Sequence, residues 1–313
     1  MALDWSFSSD RLFRRCQRAY YFREIAAWHN GRDPLRREAF ILKQLKTLDL
    51  WRGSVVHTAI QNLVVPHWQN RTPLDWNLLV KEARAIAERQ YAFSRAMRYR
   101  DGSISKSKAG DDYCALTIHE RPDGTTEQQV KDTIDGIETA LFNLSEMSDL
   151  LKYVQGRPKY FSELSVPVSY HGANITGQID LMFFRGYNQP TIIDWKCYDS
   201  AAGSDASLQT ALYAWLLCKN PKWSITEPET VELVEVRLGR APAVMRHRFN
   251  ADRFVELEDR IFQSVEEIQA LCGDASFANT DLADFEFANS ANSCAFCTFR
   301  NLCQEAGSCL ITL

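Results

Sequence analysis

The hydrophobic pattern divides the chain into a helical first half and a second half rich in strands. Apolar residues recur every three or four positions, as in amphipathic helices, over 9–25, 53–68, 75–99 and 127–153. β-Branched clusters and apolar–polar alternation indicate strands, at 160–170, 174–184, 191–196, 230–239 and 243–249. Further helices are predicted over 205–218 and in a last long segment ending near Cys272. This order predicts an α/β fold with helical additions.

Two segments depart from this periodicity. Residues 101–126 are polar and rich in Gly and Ser, which predicts a mobile loop or lid. The end of the chain is rich in cysteine instead, with the run CAFCTFRNLCQEAGSC.

Composition and charge are those of an ordinary globular protein. The 313 residues are 45% hydrophobic and 24% charged. The first residues lack the layout of a signal peptide, and no apolar run approaches the ~20 residues of a membrane span. A cytoplasmic protein with no membrane partner is therefore expected.

The net charge of −4 argues weakly against a general nucleic-acid coat protein. Residues 11–50 nevertheless carry ten Lys and Arg residues, which could hold a phosphate backbone locally. On charge alone, solvated helix faces are the favoured interpretation.

The third predicted strand of the central cluster ends in two charges, Asp194 and Lys196. Residues two apart in a strand point to the same face, and burying a charge is costly unless it is paired or binds a metal. If the neighbouring strand pairs as a hairpin, Asp180 could meet Asp194, and two close carboxylates favour Mg²⁺ or Mn²⁺ between them. The Trp195 carbonyl could add a third oxygen, and Lys196 could orient or deprotonate the attacking water. A salt bridge between the strands is the alternative.

Asp180 followed by Asp194-Trp195-Lys196 resembles the core of the PD-(D/E)XK nucleases, although Ile179 replaces the proline of that name. The resemblance sharpens to the RecB-type branch through His57 in RGSVVH and through Gln209 and Tyr213 in QTALY.

The resemblance implies a restriction-endonuclease-like core with a central mixed sheet and helical insertions. It implies that Asp180, Asp194 and His57 bind Mg²⁺ or Mn²⁺ and that Lys196 is catalytic. Gln209 would steady the lysine or the DNA, and Tyr213 would contact phosphate. Glu163 lies near a point where such nucleases often carry an acidic residue; solvent exposure is its alternative.

The spacing of Cys294, Cys297 and Cys303 predicts a metal or cluster site. Disulfides are not expected without an export signal. Three such ligands need a fourth. Cys309 would complete a local zinc knuckle, whereas Cys16 would be a remote ligand.

The segment SFSSDRLFRRCQRAYYF is similar to the N-terminal segment of iron–sulfur RecB-type nucleases, such as the AddB nuclease domain and the CRISPR-adaptation exonucleases. This likeness implies that Cys16 joins Cys294, Cys297 and Cys303 around a [4Fe–4S] cluster. The cluster would act as a clasp between the N- and C-terminal regions and would couple folding to metal loading. Zinc at the same ligands is the alternative.

The expected organisation is a single nuclease domain over 1–313. Its parts are an N-terminal helical part with the first cluster cysteine, a helical region with the motif histidine, a nuclease core and a cysteine-rich end, at 1–50, 51–155, 156–272 and 273–313.

The sequence thus predicts a metal-dependent DNA exonuclease that acts on single-stranded DNA or DNA ends. Its process would be DNA repair or recombination, CRISPR adaptation or phage defence, with a helicase, recombination or CRISPR-adaptation partner. The alternative is a DNA-binding or scaffold subunit of a larger helicase/nuclease complex. Charge and stacking suit five N-terminal residues to DNA contacts, although an ordinary amphipathic helix explains them equally: Arg14, Arg15, Arg18, Tyr20 and Tyr21.

Overall fold

The computed structural model describes residues 3–29, 32–121, 124–197, 204–223, 225–249, 251–273, 276–288 and 290–305. The chain forms two compact units. Unit 1 comprises Met1–Leu45, Pro167–Gly177 and Val255–Leu313, and unit 2 comprises Lys46–Val166 and Gln178–Phe254.

The secondary structure follows the order predicted from the sequence, with an additional strand at the start and additional helices such as Pro34–Leu42. The strands are β1 (Leu3–Trp5), β2 (Tyr160–Tyr170), β3 (Ala173–Gly186), β4 (Gln189–Lys196), β5 (Glu232–Arg237) and β6 (Ala243–Arg248). The helices of the first half are α1 (Phe7–Arg15), α2 (Gln17–Tyr20), α3 (Pro34–Leu42), α4 (Leu48–Ala59), α5 (Val65–Asn70), α6 (Trp76–Arg95), α7 (Lys106–Ala109), α8 (Thr117–Glu120), α9 (Glu127–Glu146) and α10 (Ser148–Val154). Those of the second half are α11 (Ser204–Lys219), α12 (Ala251–Cys272), α13 (Ala291–Ala295) and α14 (Arg300–Glu305).

In unit 1, the helix predicted over 9–25 is interrupted at Cys16. The backbone of Cys16 is extended, so α1 ends there, and its sulfur accepts a hydrogen bond from the Ala19 N–H that caps α2. A π-helical segment, Tyr21–Ala26, follows directly. β1 runs parallel to the first residues of β3, with Trp5 opposite Ile175.

Unit 2 is built on a mixed sheet with the strand order β3-β4-β5-β6. β4 is antiparallel to β3 and parallel to β5, and β6 is antiparallel to β5. β4 is central, and the residues from Pro190 to Trp195 are buried, as expected for a strand covered on both faces.

One face of this sheet packs against helices α4, α6 and α9. Ile193 and Trp195 lie in a continuous apolar core with Trp51 of α4 and Leu141 of α9. The Trp51 indole N–H donates to Gln90 of α6 at 2.8 Å, which satisfies the one polar group this large side chain buries. This packing fixes α4 relative to the end of β4.

The predicted loop over 101–126 has more structure than its composition suggests. Its described part contains α7 and α8, and Cys114, Ala115 and Leu116 are almost completely buried. The Leu116 N–H donates to Ser94 Oγ at 2.8 Å. A short apolar stretch inside a polar segment therefore anchors it to the core of unit 2, so the described part of this segment is not a loop throughout.

Among the described residues, no helix combines the length and the apolar character needed to cross a membrane.

Candidate metal centre

The centre forms where the ladder between β3 and β4 ends. The last pair on this side is Leu181 with Ile193. Extending this register by one pair places Asp180 opposite Asp194 on the same face. Beyond this pair a side chain replaces the backbone as acceptor, because Asp180 Oδ2 accepts a hydrogen bond from the Trp195 N–H at 2.8 Å.

His57 reaches this point from α4. Its Nε2 lies 3.0 Å from the Trp195 carbonyl oxygen. Since a carbonyl only accepts, Nε2 carries the proton of this bond, and Nδ1 is the nitrogen left for another partner. Nδ1 lies 3.5 Å from Asp180 Oδ1 and 3.8 Å from Glu163 Oε1.

The two carboxylates control the charge of His57. Burial lowers the pKa of His57, but its contacts with Asp180 and Glu163 outweigh burial and raise the pKa to about 10. In the absence of a metal, a proton thus holds Nδ1 between two negative groups.

His57, Glu163 and Asp180 each offer one ligand atom, and these atoms lie within 4.8 Å of one another. The set combines one imidazole nitrogen with carboxylate oxygens, which suits Mg²⁺ or Mn²⁺. These residues therefore fit a divalent cation, and Glu163, a possible site residue from the sequence, belongs to this group.

Glu163 is held in an unusual conformation. Its φ is +48°, in the left-handed region that non-glycine residues rarely adopt inside a strand. Gln178 Nε2 donates to Glu163 Oε2 at 2.6 Å and leaves Oε1 facing His57. The backbone strain and this hydrogen bond together aim one carboxylate oxygen at the centre.

Sequence reasoning did not identify Gln178. The available signal was its position two residues before Asp180 in β3, since such residues share a face of a strand.

Asp194 and Lys196 form an ion pair beside this group. Lys196 Nζ lies 2.7 Å from Asp194 Oδ2. Asp194 is 3% exposed. Burial raises its pKa to about 6, with Lys196 opposing and Asp180 reinforcing the shift. The salt bridge considered from the sequence thus lies within one strand rather than between two.

Gln209 and Tyr213 lie one turn apart on α11 and are hydrogen-bonded, with Gln209 Nε2 donating to the Tyr213 hydroxyl at 3.1 Å. Burial raises the pKa of Tyr213 well above its usual value, and the nearby charges of Asp194 and Asp180 add to the shift. Tyr213 therefore stays neutral and keeps its hydroxyl proton for a hydrogen bond near the carboxylates.

The four predicted cluster cysteines lie in unit 1. Cys16, Cys294, Cys297 and Cys303 line one cavity there. Burial raises the pKa of Cys297 to about 11, and Cys16 and Cys303 are close enough to add to the shift. Within the described part of the chain, however, these thiols do not converge as the His57 group does. Cys309, the ligand of the alternative zinc knuckle, lies outside the described residues.

The predicted DNA contacts of unit 1 are mostly buried or paired. Tyr20 and Tyr21 are 1% and 5% exposed. Arg18 is buried, donates to the Phe285 carbonyl and stacks on Phe287. These three side chains are packed inside unit 1, where a DNA strand cannot stack on them.

The two remaining predicted contacts are at the surface. Arg14 is half-exposed and forms ion pairs with Asp10 at 2.9 Å and with Glu267 at 3.4 Å. Arg15 is exposed.

Residues 4–304 match the family model described as the PD-(D/E)XK nuclease superfamily. No curated protein matches the chain. Nine chains of solved structures match it. One, titled "Crystal structure of SSO0001", is 14% identical, with 58% of this chain and 77% of that chain covered and a TM-score of 0.31.

Proposed function

The chain belongs to the PD-(D/E)XK nuclease superfamily, and from this premise we propose that it is a metal-dependent DNA exonuclease acting on single-stranded DNA or DNA ends. The observation that carries the proposal is the meeting of His57, Glu163 and Asp180 beside the Asp194–Lys196 pair. Metal-assisted hydrolysis of a phosphodiester uses a cation site next to a group that can transfer a proton or stabilise negative charge.

His57, Glu163 and Asp180 would hold the divalent cation, with the Trp195 carbonyl and Asp194 close by. A bound Mg²⁺ or Mn²⁺ supplies Lewis acidity to the phosphoryl group and lowers the pKa of water. Glu163 and Asp180 bring the negative charge that attracts the cation, and Gln178 keeps Glu163 in its orientation.

Lys196 would orient the attacking water and offset the charge that develops on the phosphate. Asp194 keeps this ammonium in place at 2.7 Å. Tyr213 would donate its hydroxyl proton to a phosphate oxygen, and Gln209 fixes the orientation of that hydroxyl.

A digestion assay tests the function. Labelled single-stranded DNA is incubated with Mn²⁺ and either wild type, Lys196→Ala or the control Lys152→Ala, whose side chain is 77% exposed on α10. We expect wild type and the control to digest the strand and Lys196→Ala to be inactive. Equal digestion by all three proteins, or no digestion with any divalent metal, would refute the proposed nuclease activity. A stable protein partner combined with absence of hydrolysis would instead support the scaffold subunit.

We also propose that the enzyme is of the RecB type with a [4Fe–4S] cluster at Cys16, Cys294, Cys297 and Cys303. The shared cavity of the four cysteines supports this ligand set. Such a cluster would stabilise the fold rather than take part in hydrolysis.

Anaerobically purified protein should be brown, with a broad band near ~400 nm. Cys16→Ser should lose the band and the bound iron, whereas Cys114→Ser, a change to a buried thiol of unit 2, should keep both. A colourless wild type containing one zinc per chain would exclude the cluster.

A further inference from the structure

Unit 1 exposes an indole ring in a segment of the chain that is rich in arginine. Trp28 is 49% exposed. The chain has eight tryptophans, all of them in its described part, and the other seven are buried or partly buried. Tryptophan is enriched at binding interfaces, because its ring offers a large apolar face for packing.

The ring is held in place from one side. The backbone N–H of Trp28 donates to the Arg36 carbonyl at 3.2 Å, and Arg36 Nε donates to the Ala26 carbonyl at 3.1 Å. The Arg36 guanidinium lies 5.6 Å from the centre of the Trp28 ring and 4.5 Å from that of Phe277. The His29 ring lies 5.4 Å from Trp28. The exposed half of the indole is thus presented by a fixed framework.

The surroundings of Trp28 are basic although the whole chain is acidic. The segment from Arg23 to Lys43, both included, carries five Lys or Arg and three Asp or Glu side chains. Arg32 and Arg37 are exposed on the same segment. Asp33 is occupied in capping α3, where it accepts the Leu35 N–H at 2.8 Å.

We propose that Trp28, His29, Arg32 and Arg37 form a contact surface for single-stranded DNA, with a base stacked on the indole and phosphates facing the arginines. Stacking needs an unpaired base, so this chemistry selects single strands over duplex. The choice of DNA as ligand rests on the proposed nuclease function. The surface replaces Tyr20 and Tyr21, which the fold buries.

The test is fluorescence anisotropy of the full chain with labelled oligothymidylate in EDTA, which prevents hydrolysis. A stacked base contributes ~1–3 kcal/mol, so Trp28→Ala should raise Kd by about 5- to 150-fold. Trp28→Phe should bind nearly as wild type but lose the quenching of tryptophan fluorescence. Phe142→Ala removes a ring that is 60% exposed on α9 and should change neither.

Two results would refute the proposed DNA-binding surface. In the first, Trp28→Ala binds the oligonucleotide as tightly as wild type. In the second, Trp28→Ala loses affinity for duplex DNA or for RNA by the same factor as for single-stranded DNA. Digestion is measured separately. If wild type digests DNA while Trp28→Ala binds normally, the surface fails and the nuclease stands. If wild type is inactive with every metal while Trp28→Ala binds weakly, the nuclease fails and the surface stands.

Discussion

Lys196 Nζ lies 2.7 Å from Asp194 Oδ2, two residues away on the same strand. Asp194 is almost fully buried, and its partner is the residue assigned to the chemistry. Lys196, which we propose acts in hydrolysis, therefore also neutralises a buried carboxylate. If Lys196 acts as proposed, this pair couples stability to activity.

Removal of the lysine should destabilise the protein as well as inactivate it. An unpaired buried charge costs ~3–5 kcal/mol, so Lys196→Met should lower the free energy of unfolding by about that amount. Asp194→Asn combined with Lys196→Met should recover part of the loss. Urea denaturation measures both, with Lys152→Met as the control. A double variant no more stable than Lys196→Met would contradict the pairing.

His57 should make the metal-free protein sensitive to alkali. Its folded pKa of about 10 lies above the unfolded value of 6.5. The stabilisation by protonated His57 is therefore complete below pH 6.5 and is lost as the pH rises through about 10. In EDTA, the Tm of wild type should fall more between about pH 7 and about pH 9 than the Tm of His57→Gln. Parallel curves for the two proteins would contradict this.

Metal binding should offset the loss of stability at high pH, because the affinity of His57 for a metal rises as the histidine loses its proton. Calorimetric titration with Mn²⁺ should show proton release and an affinity that rises with pH over the same range. His57→Gln should bind Mn²⁺ more weakly and release fewer protons.

Gln178 should control metal affinity without contacting the metal. It holds Glu163 through one hydrogen bond of 2.6 Å. Loss of such a supporting contact costs about 10–100-fold in metal affinity, so Gln178→Ala should raise the Kd for Mn²⁺ by that factor. Gln128→Ala, on the exposed face of α9, is the control. Unchanged calorimetric affinity in Gln178→Ala would show that Glu163 needs no support.

Tyr213→Phe should separate hydrolysis from folding. The variant loses the hydroxyl that pairs with Gln209, which costs about 1 kcal/mol of stability. Its kcat on single-stranded DNA should fall about tenfold or more, because a donor to the phosphate is missing. Tyr187→Phe, at a side chain that is 92% exposed, should have neither effect. A normal kcat would remove Tyr213 from the site.

Local patterns predicted the strands of unit 2 well, because alternation and β-branched clusters report burial directly. The bounds of β2 are those expected from the sequence, and the β3–β4 hairpin brings Asp180 opposite Asp194 as predicted. The break at Cys16 was not predictable from helical periodicity, since the extended backbone of Cys16 ends one helix and its sulfur caps the next. Likewise, no periodicity reveals that Glu163 adopts a left-handed backbone.

The predicted aromatic contacts show a second limit. Tyr20 and Trp28 are both aromatic residues in a basic segment, but only tertiary packing decides that Tyr20 is 1% and Trp28 49% exposed. Composition indicates which segment could bind nucleic acid, whereas burial decides which of its aromatic rings is accessible for stacking.

The hydrogen bond between His57 and the Trp195 carbonyl joins residues 138 positions apart. Contacts of such separation form late, after the loop between them has closed. A ribosome releases His57 long before Trp195, so a nascent chain carries the histidine without its partner. The proposed hydrolytic centre would then arise only when β4 has joined the sheet, and an unfinished chain could not cut nucleic acid.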